Sequence, residues 1–176
     1  DSTQLVKRSA IMYSESPEDY TVMRKCARFL QLSNATDSKL FKEIAIKIAD
    51  NELALHSDSM ASLQYAFNLY KQADHTNGIR IAAEKMFELD PNSMEIAMYL
   101  AQFKASSGKV KEAVELYNKA IQQGGDRASI NYTIAQLYQS SGNFSQARSY
   151  AEKALAARPG WAEPHILIGR LYASSG

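Results

Sequence analysis

The sequence predicts an all-α fold, a right-handed α-solenoid of antiparallel helix pairs. The first observation is the tripeptide Ser-Ser-Gly, whose glycines Gly108, Gly142 and Gly176 lie 34 residues apart (142 − 108 and 176 − 142). The second is that small and apolar residues keep the same register, in the columns Ala101, Ala135, Gly169; Leu100, Ile134, Ile168; and Ala113, Ala147. A fixed period of this size is typical of stacked helical units, whereas a plain helical bundle gives no reason for a shared register.

Each column has a physical role in such a pair of helices. Glycine ends the first helix, because a left-handed backbone costs least there. Alanine and glycine let two helices approach closely, and Pro159 follows a second helix that it could not continue. In the repeat that starts at Met94, the pattern predicts one helix over 94–106 and another over 110–121.

Counting by this period divides the chain into five segments. Residues 1–59 hold N-terminal helices that form either a degenerate repeat or a cap. One helix is expected to start at Ser16-Pro17-Glu18-Asp19 with Ser16 as its N-cap, and another near Asp37 or Ser38. Repeats are predicted at 60–93, 94–127 and 128–161. Residues 162–176 supply the first helix of a further, truncated repeat, which we expect to end at Ser174.

Three positions depart from the pattern. Asp74 stands where the glycine belongs, and the turn is predicted to run on to Asn77-Gly78. Lys104 stands where later repeats have tyrosine, so we expect weaker packing there. Gly124-Gly125 replaces the proline linker, and we expect a more flexible joint.

The period, the Ser-Ser-Gly turn and the small-residue columns resemble the tetratricopeptide repeat (TPR). The resemblance implies a superhelix whose concave wall is made by the first helix of each repeat. It also implies paired binding positions, one turn apart, on each first helix. In this sequence those concave-wall residues are Gln64, Asn68, Met98, Gln102, Tyr132, Gln136, Ile166 and Arg170.

Within this set we expect Tyr132 to be the anchor, because a large, stiff side chain gives contact area at low entropy cost. Tyr138 and Tyr172 are expected in the core instead. Some TPR proteins bind the acidic tails of chaperones through a two-carboxylate clamp. Gln64 stands where that clamp needs a lysine, and Asn68 alone matches it, so the resemblance argues against this ligand.

The composition of the chain indicates which classes of partner are not expected. Lys and Arg number 20 against 19 Asp and Glu, a net charge of +1, which gives no sign of a nucleic-acid partner. No apolar run approaches the ~20 residues of a membrane span, so we expect no membrane insertion. Because the chain starts at Asp1 and stops at a repeat turn, we expect a fragment, and its localisation stays open.

The sequence shows no pattern for catalysis, a metal or a cofactor. His56, His75, His165 and the lone Cys26 lack metal-ligand spacing. The Ser-Ser-Gly serines have no matching His and Asp, so helix termination explains them better than nucleophilic chemistry does. We therefore predict a protein that is not an enzyme.

The predicted function is a non-enzymatic module that binds a protein or peptide in the concave groove. Two alternatives stay open: a regulatory or targeting domain of a larger enzyme, and a self-assembling scaffold. The scaffold interpretation rests on the last helix, where Ile168 and Leu171 are expected to leave apolar surface exposed for self-association.

Overall fold

The computed structural model describes residues 2–173, and every regular element among them is an α-helix. The described helices are α1 (Ser2–Glu15), α2 (Tyr20–Leu32), α3 (Lys39–Leu55), α4 (Met60–Gln72), α5 (Thr76–Leu89), α6 (Met94–Ser106), α7 (Val110–Gln122), α8 (Arg127–Ser140), α9 (Phe144–Ala157) and α10 (Ala162–Ala173). The predicted all-α fold of paired helices is confirmed. The third tripeptide, Ser174-Ser175-Gly176, lies outside the described residues.

The helices fall into two compact units, residues 1–89 with α1–α5 and residues 90–176 with α6–α10. We call them unit 1 and unit 2. In each unit the helices pack in chain order, each against the next. Short turns join them, so neighbours run antiparallel, as the predicted helix pairs require.

The two units fill their cores differently. Unit 1 buries large side chains, among them the fully buried Leu30, Phe41, Ile44 and Ile48. Unit 2 relies on alanine at its fully buried positions, which include Ala97, Ala101, Ala113, Ala120, Ala135, Ala147, Ala151 and Ala154. Alanine lets helix axes approach, so the close packing expected of Ala101 and Ala135 is present. Gly169 of the same column differs, because a Cβ there would meet nothing within 4 Å.

The turns that follow the first helices share one hydrogen-bond closure. After α6 the amide of Lys109 donates to the carbonyl of Lys104 at 2.9 Å, and Gly108 takes φ +73°. Asp74 adopts the same left-handed backbone with φ 56°. The turn after α4 therefore has the expected geometry with a less favourable residue.

Two predicted helix starts are wrong. Asn77-Gly78 lies inside α5, because the helix begins at Thr76 and the ring of His75 accepts a hydrogen bond from the Gly78 amide at 3.2 Å. Gly78 serves close packing, since a Cβ there would lie 2.3 Å from the Tyr70 ring. Ser16 is not the N-cap of α2: α1 runs to Glu15, and the Asp19 carboxylate caps α2 by accepting from the amides of Thr21 and Val22.

The last helix also corrects expectations. Leu171 is 3% exposed, because it packs within unit 2, where α10 lies against α9. Ile168 is half-buried. Tyr172, expected in the core, is 58% exposed, and its ring lies 5.2 Å from the Arg148 guanidinium.

Two further expectations concern residues at joints. Lys104 is anchored rather than loosely packed, because its ammonium lies 2.9 Å from the Glu112 carboxylate. The pKa of Glu112 is lowered, first by this hydrogen bond to Lys104. A Cβ on Gly125 would lie 2.7 Å from Ile130 Cδ1 and 2.8 Å from the Ala120 carbonyl oxygen. Glycine is therefore required there by close approach of the backbone.

Candidate functional site

A chain of contacts fixes the start of α8 against the segment that leads into α10. The Asp126 carboxylate caps α8, accepting from the Ala128 amide at 3.1 Å and from the Ser129 hydroxyl at 2.7 Å. Arg158 donates to the same carboxylate at 2.8 Å. The hydrogen bonds from the hydroxyl and then the backbone amide of Ser129, followed by the charge of Arg158, lower the pKa of Asp126. The carboxylate is therefore held in its charged form, which suits a helix N-terminus.

Aromatic contacts continue this chain to the expected anchor residue. The Arg158 guanidinium lies 4.9 Å from the Trp161 ring centroid. The Trp161 and Tyr132 ring centroids are 4.8 Å apart, with 59° between the ring planes. Tyr132 is half-buried, so its ring is held in place before any ligand arrives. The sequence analysis did not predict this contact between Tyr132 and Trp161.

Tyr132 opens onto a groove of about 200 Å³ between α8 and α10, which we call the α8/α10 groove. Its lining residues are Tyr132, Gln136, Gln139, Glu163, Ile166, Leu167 and Arg170. Ile166 is 52% exposed, whereas Leu167 is 5% exposed and forms a buried part of the lining. The groove thus combines an apolar patch, two amide side chains, and one charge of each sign.

The structure brings four of the eight sequence-predicted residues to this groove, namely Tyr132, Gln136, Ile166 and Arg170. Met98 and Gln102 lie one turn apart on α6, half-buried and exposed respectively, and do not line it. Gln64 and Asn68 lie on α4 in unit 1, where the Gln64 amide donates to the Asn68 carbonyl oxygen at 3.4 Å.

A second cavity in unit 2, of about 380 Å³, was not foreseen from the sequence. It is lined by Asn118, Ile121, Arg127, Asn131, Lys153, Ala156 and Ala157. Asn131 is 5% exposed. One signal could have found it: Ala97 and Leu63 are the residues one and two periods earlier (131 − 34 and 97 − 34), and both are fully buried and apolar. A buried polar residue in an otherwise apolar column is the signal that marks this place as different from the other repeats.

The described residues offer little for metal or redox chemistry. Among residues 2–173, no three His, Cys, Asp or Glu side chains converge as a metal site would require. Cys26 is fully buried, and burial raises the pKa of its thiol, which disfavours the reactive thiolate. Within the same residues, no helix has the length and apolar character needed to cross a membrane.

Known proteins similar to this chain are helical repeat proteins. Residues 104–171 match the family model described as tetratricopeptide repeat. No match to the sequence was found among curated proteins. A crystal structure of MamA protein is similar in fold, with 19% identity, a TM-score of 0.61, and coverage of 89% of this chain and 82% of that one.

Two other solved structures have the same kind of fold. The C-terminal part of a TPR repeat-containing protein from Cytophaga hutchinsonii has 12% identity and a TM-score of 0.58, with 99% of this chain and 66% of that one covered. BtubC from P. vanneervenii has 16% identity and a TM-score of 0.55, with coverage of 99% and 82%. At such identities the likeness concerns the fold. The chain therefore has the fold of a helical repeat protein, and its residues 104–171 are similar to the tetratricopeptide repeat.

Proposed function

We propose that this protein is a non-enzymatic interaction module that holds an extended peptide segment of a partner protein in the α8/α10 groove. The observation that carries the proposal is the groove itself, where Tyr132, Gln136, Ile166 and Arg170 converge. The TPR fold supports a role in protein interaction, and the family is generally non-catalytic.

The size and chemistry of the groove favour a peptide. At about 200 Å³ it is smaller than the ~300–1,000 Å³ of ordinary small-molecule pockets and suits one or two side chains. Ile166 and the Tyr132 ring offer apolar contact. The amides of Gln136 and Gln139 can donate to and accept from a peptide backbone, which presents both groups at every residue.

The ring of Tyr132 is the proposed anchor. Its contact with Trp161 restricts the side chain before binding, so less conformational entropy is lost when a ligand packs on it. Preorganised aromatic residues of this kind dominate binding energy at many interfaces. Met98 and Gln102, on α6 of the same unit, are proposed as weaker, additional contacts. Gln64 and Asn68, on α4 of unit 1, stay predictions.

The test begins with a peptide selected from a random library on the intact chain. Tyr132→Ala is expected to weaken its binding by ~2 kcal/mol or more, and Gln136→Ala by ~0.5–1.5 kcal/mol, measured by calorimetry. Because Tyr132 also packs on Trp161, Ile166→Asp is the second variant: Ile166 is exposed, so the fold survives while the apolar contact is lost. Tyr65→Ala, on α4 of unit 1, is the matched control.

The expected result is weakening by Tyr132→Ala and Ile166→Asp with an unchanged Tyr65→Ala. Salt should have little effect, because apolar contacts and amides dominate the lining. If the selected peptide binds both groove variants as tightly as it binds the wild type, this groove is not the interaction surface.

A further inference from the structure

Unit 1 carries a basic groove that the sequence pattern does not reveal. Three exposed cations, Arg24, Lys25 and Arg28, lie on consecutive turns of α2. They line a space of about 430 Å³ together with Ala27, Gln31 and Tyr65. We call it the α2/α4 groove. Among the residues that the structure describes, no carboxylate belongs to its lining.

The three cations lack acidic partners within the described part of the chain. None of them forms an ion pair with a carboxylate among residues 2–173. Arg24 and Arg28 are spaced i,i+4, where like charges repel and destabilise a helix. The α2 helix therefore holds an arrangement that a neutralising ligand would relieve.

Five carboxylates of unit 1 are engaged by groups outside this groove. The Glu18 carboxylate pairs with Lys47, and the Asp74 carboxylate pairs with Lys42. The tyrosine hydroxyls of Tyr13, Tyr20 and Tyr70 donate to the carboxylates of Glu43, Glu52 and Asp50 respectively. These five carboxylates therefore do not neutralise Arg24, Lys25 and Arg28, and the described lining of the groove is positively charged.

Arg24 is oriented before a ligand binds. Its guanidinium lies 5.8 Å from the Tyr20 ring centroid and 5.9 Å from that of Tyr65. The Tyr20 ring is itself tied down by its hydroxyl hydrogen bond to Glu52. A guanidinium fixed between two rings keeps its planar donor fork available for a carboxylate and loses little entropy on binding.

We propose that the α2/α4 groove binds an acidic, extended segment of a partner protein. Alternate residues of an extended peptide are ~6.6 Å apart, close to the rise of ~6 Å over the four helical residues that separate Arg24 from Arg28. Two carboxylates at alternate positions can therefore each reach one arginine. The exposed Tyr65 ring offers apolar contact, and the Gln31 amide, which donates to Gln72 at 3.1 Å, lies beside the peptide backbone.

A protein segment suits this groove better than a nucleic acid does. Three lining cations match two or three carboxylates, whereas nucleic-acid binding draws on a broad basic surface and a strongly basic domain. The whole chain has a net charge of only +1. This inference does not depend on the α8/α10 groove, which lies in the other unit.

The experiment uses the intact chain and a synthetic peptide of about ten residues with Glu at alternate positions, matching the extended repeat. A second peptide has Gln in place of every Glu. We expect the acidic peptide to bind at least about tenfold more tightly than the Gln peptide, with affinity falling between about 50 and about 500 mM NaCl. Fluorescence anisotropy measures both.

The variant Arg24→Gln/Lys25→Gln/Arg28→Gln is expected to lose at least about tenfold in affinity for the acidic peptide. The control Lys111→Gln/Arg127→Gln/Lys153→Gln removes the same charge from unit 2 and is expected to bind as the wild type does. Tyr132→Ala should also leave this affinity unchanged, which separates the inference from the proposed function. All substituted cations are exposed, and thermal melts check the fold.

Three outcomes would overturn the inference. One is equal binding of the Glu and Gln peptides. Another is an equal loss in the control variant, which would mean that net charge alone attracts the peptide. The third is displacement of the peptide by single-stranded RNA or anionic phospholipid vesicles at lower concentrations than the unlabelled peptide requires, which would assign the groove to phosphate groups.

Discussion

Units 1 and 2 close the same helical turn with different residues and hold their helices together by different means. Unit 2 places Gly108 and Gly142 at the left-handed position after a first helix, whereas unit 1 places Asn34 and Asp74 there, with φ of 54° and 56°. Unit 2 packs helices through buried alanines, and unit 1 adds hydrogen bonds between tyrosine hydroxyls and carboxylates.

The comparison shows which features the architecture requires. In both units the third residue after the helix donates its amide across the turn, as Ala35 does to Leu30 and Lys109 does to Lys104, at 2.8 and 2.9 Å. The hydrogen-bond closure is therefore the constraint, and glycine is the least costly way to meet it. The helices are likewise held together in two ways. Unit 2 uses small side chains, and unit 1 uses larger side chains joined by hydrogen bonds.

The largest expected effect is in the close packing of unit 2. Ala135 is fully buried, so Ala135→Leu should lower the free energy of unfolding by ~2–3 kcal/mol through overpacking. Gly169→Ala is the control in the same column, since its Cβ would meet nothing within 4 Å and alanine favours a helix. Urea denaturation measures both, and an Ala135→Leu midpoint equal to the wild type would contradict the packing role.

Removal of a tyrosine–carboxylate hydrogen bond in unit 1 is expected to give the next largest effect. Tyr70 is 1% exposed, and its hydroxyl donates to Asp50 at 2.5 Å, so Tyr70→Phe should cost ~1.5 kcal/mol. The matched variant in unit 2 is Tyr150→Phe. The Tyr150 hydroxyl accepts a longer hydrogen bond, of 3.5 Å, from Asn118, so its removal should cost less than ~0.5 kcal/mol. Equal losses on urea denaturation would remove the difference between the units.

The sequence predicts unit 2 better than unit 1 for a physical reason. The predicted 94–106 and 110–121 match α6 and α7 to within one residue, because glycine and capping chemistry act locally. The start of α5 was predicted wrongly, since Gly78 is required by a contact with Tyr70 across the turn. Hydrogen bonds such as Tyr20–Glu52 join residues far apart in sequence and leave no local pattern.

The candidate site was also predictable from the sequence only in part. Helical spacing predicted which residues share a helix face, as for Tyr132 and Gln136. It could not predict that Trp161 packs on Tyr132, because that contact depends on how the linker before α10 folds back. The α2/α4 groove was missed because Arg24, Lys25 and Arg28 look like an ordinary solvated face until the acids are placed elsewhere.

A smaller effect concerns pH. Burial, followed by the hydrogen bond to Glu52, raises the pKa of Tyr20 to about 12. Between the ordinary pKa of about 10 and this value, the unfolded chain loses a proton that the folded chain keeps. Stability is therefore complete below pH ~10 and falls as pH rises toward ~12.

Tyr20→Phe should remove part of this fall, ~1 kcal/mol once the shift is discounted for partial exposure. Other tyrosines with a raised pKa, including Tyr70 and Tyr117, keep the remainder. Urea denaturation at successive pH values from about 9 to 12 measures the slope. A slope as steep in Tyr20→Phe as in the wild type would show that the Tyr20 hydroxyl does not differ between the folded and unfolded states.

The smallest effect tests the turn itself and has opposite signs in the two units. Asn34 holds a left-handed backbone, so Asn34→Gly should raise the free energy of unfolding by ~0.5 kcal/mol as strain is relieved, part of the gain being lost to the freer unfolded chain. Gly108→Ala should lower it by ~1 kcal/mol. Since a Cβ at Gly108 would meet nothing within 4 Å, that loss is conformational and not steric. Thermal melts resolve both, and changes of the same sign would mean that the shared closure does not set the residue at this position.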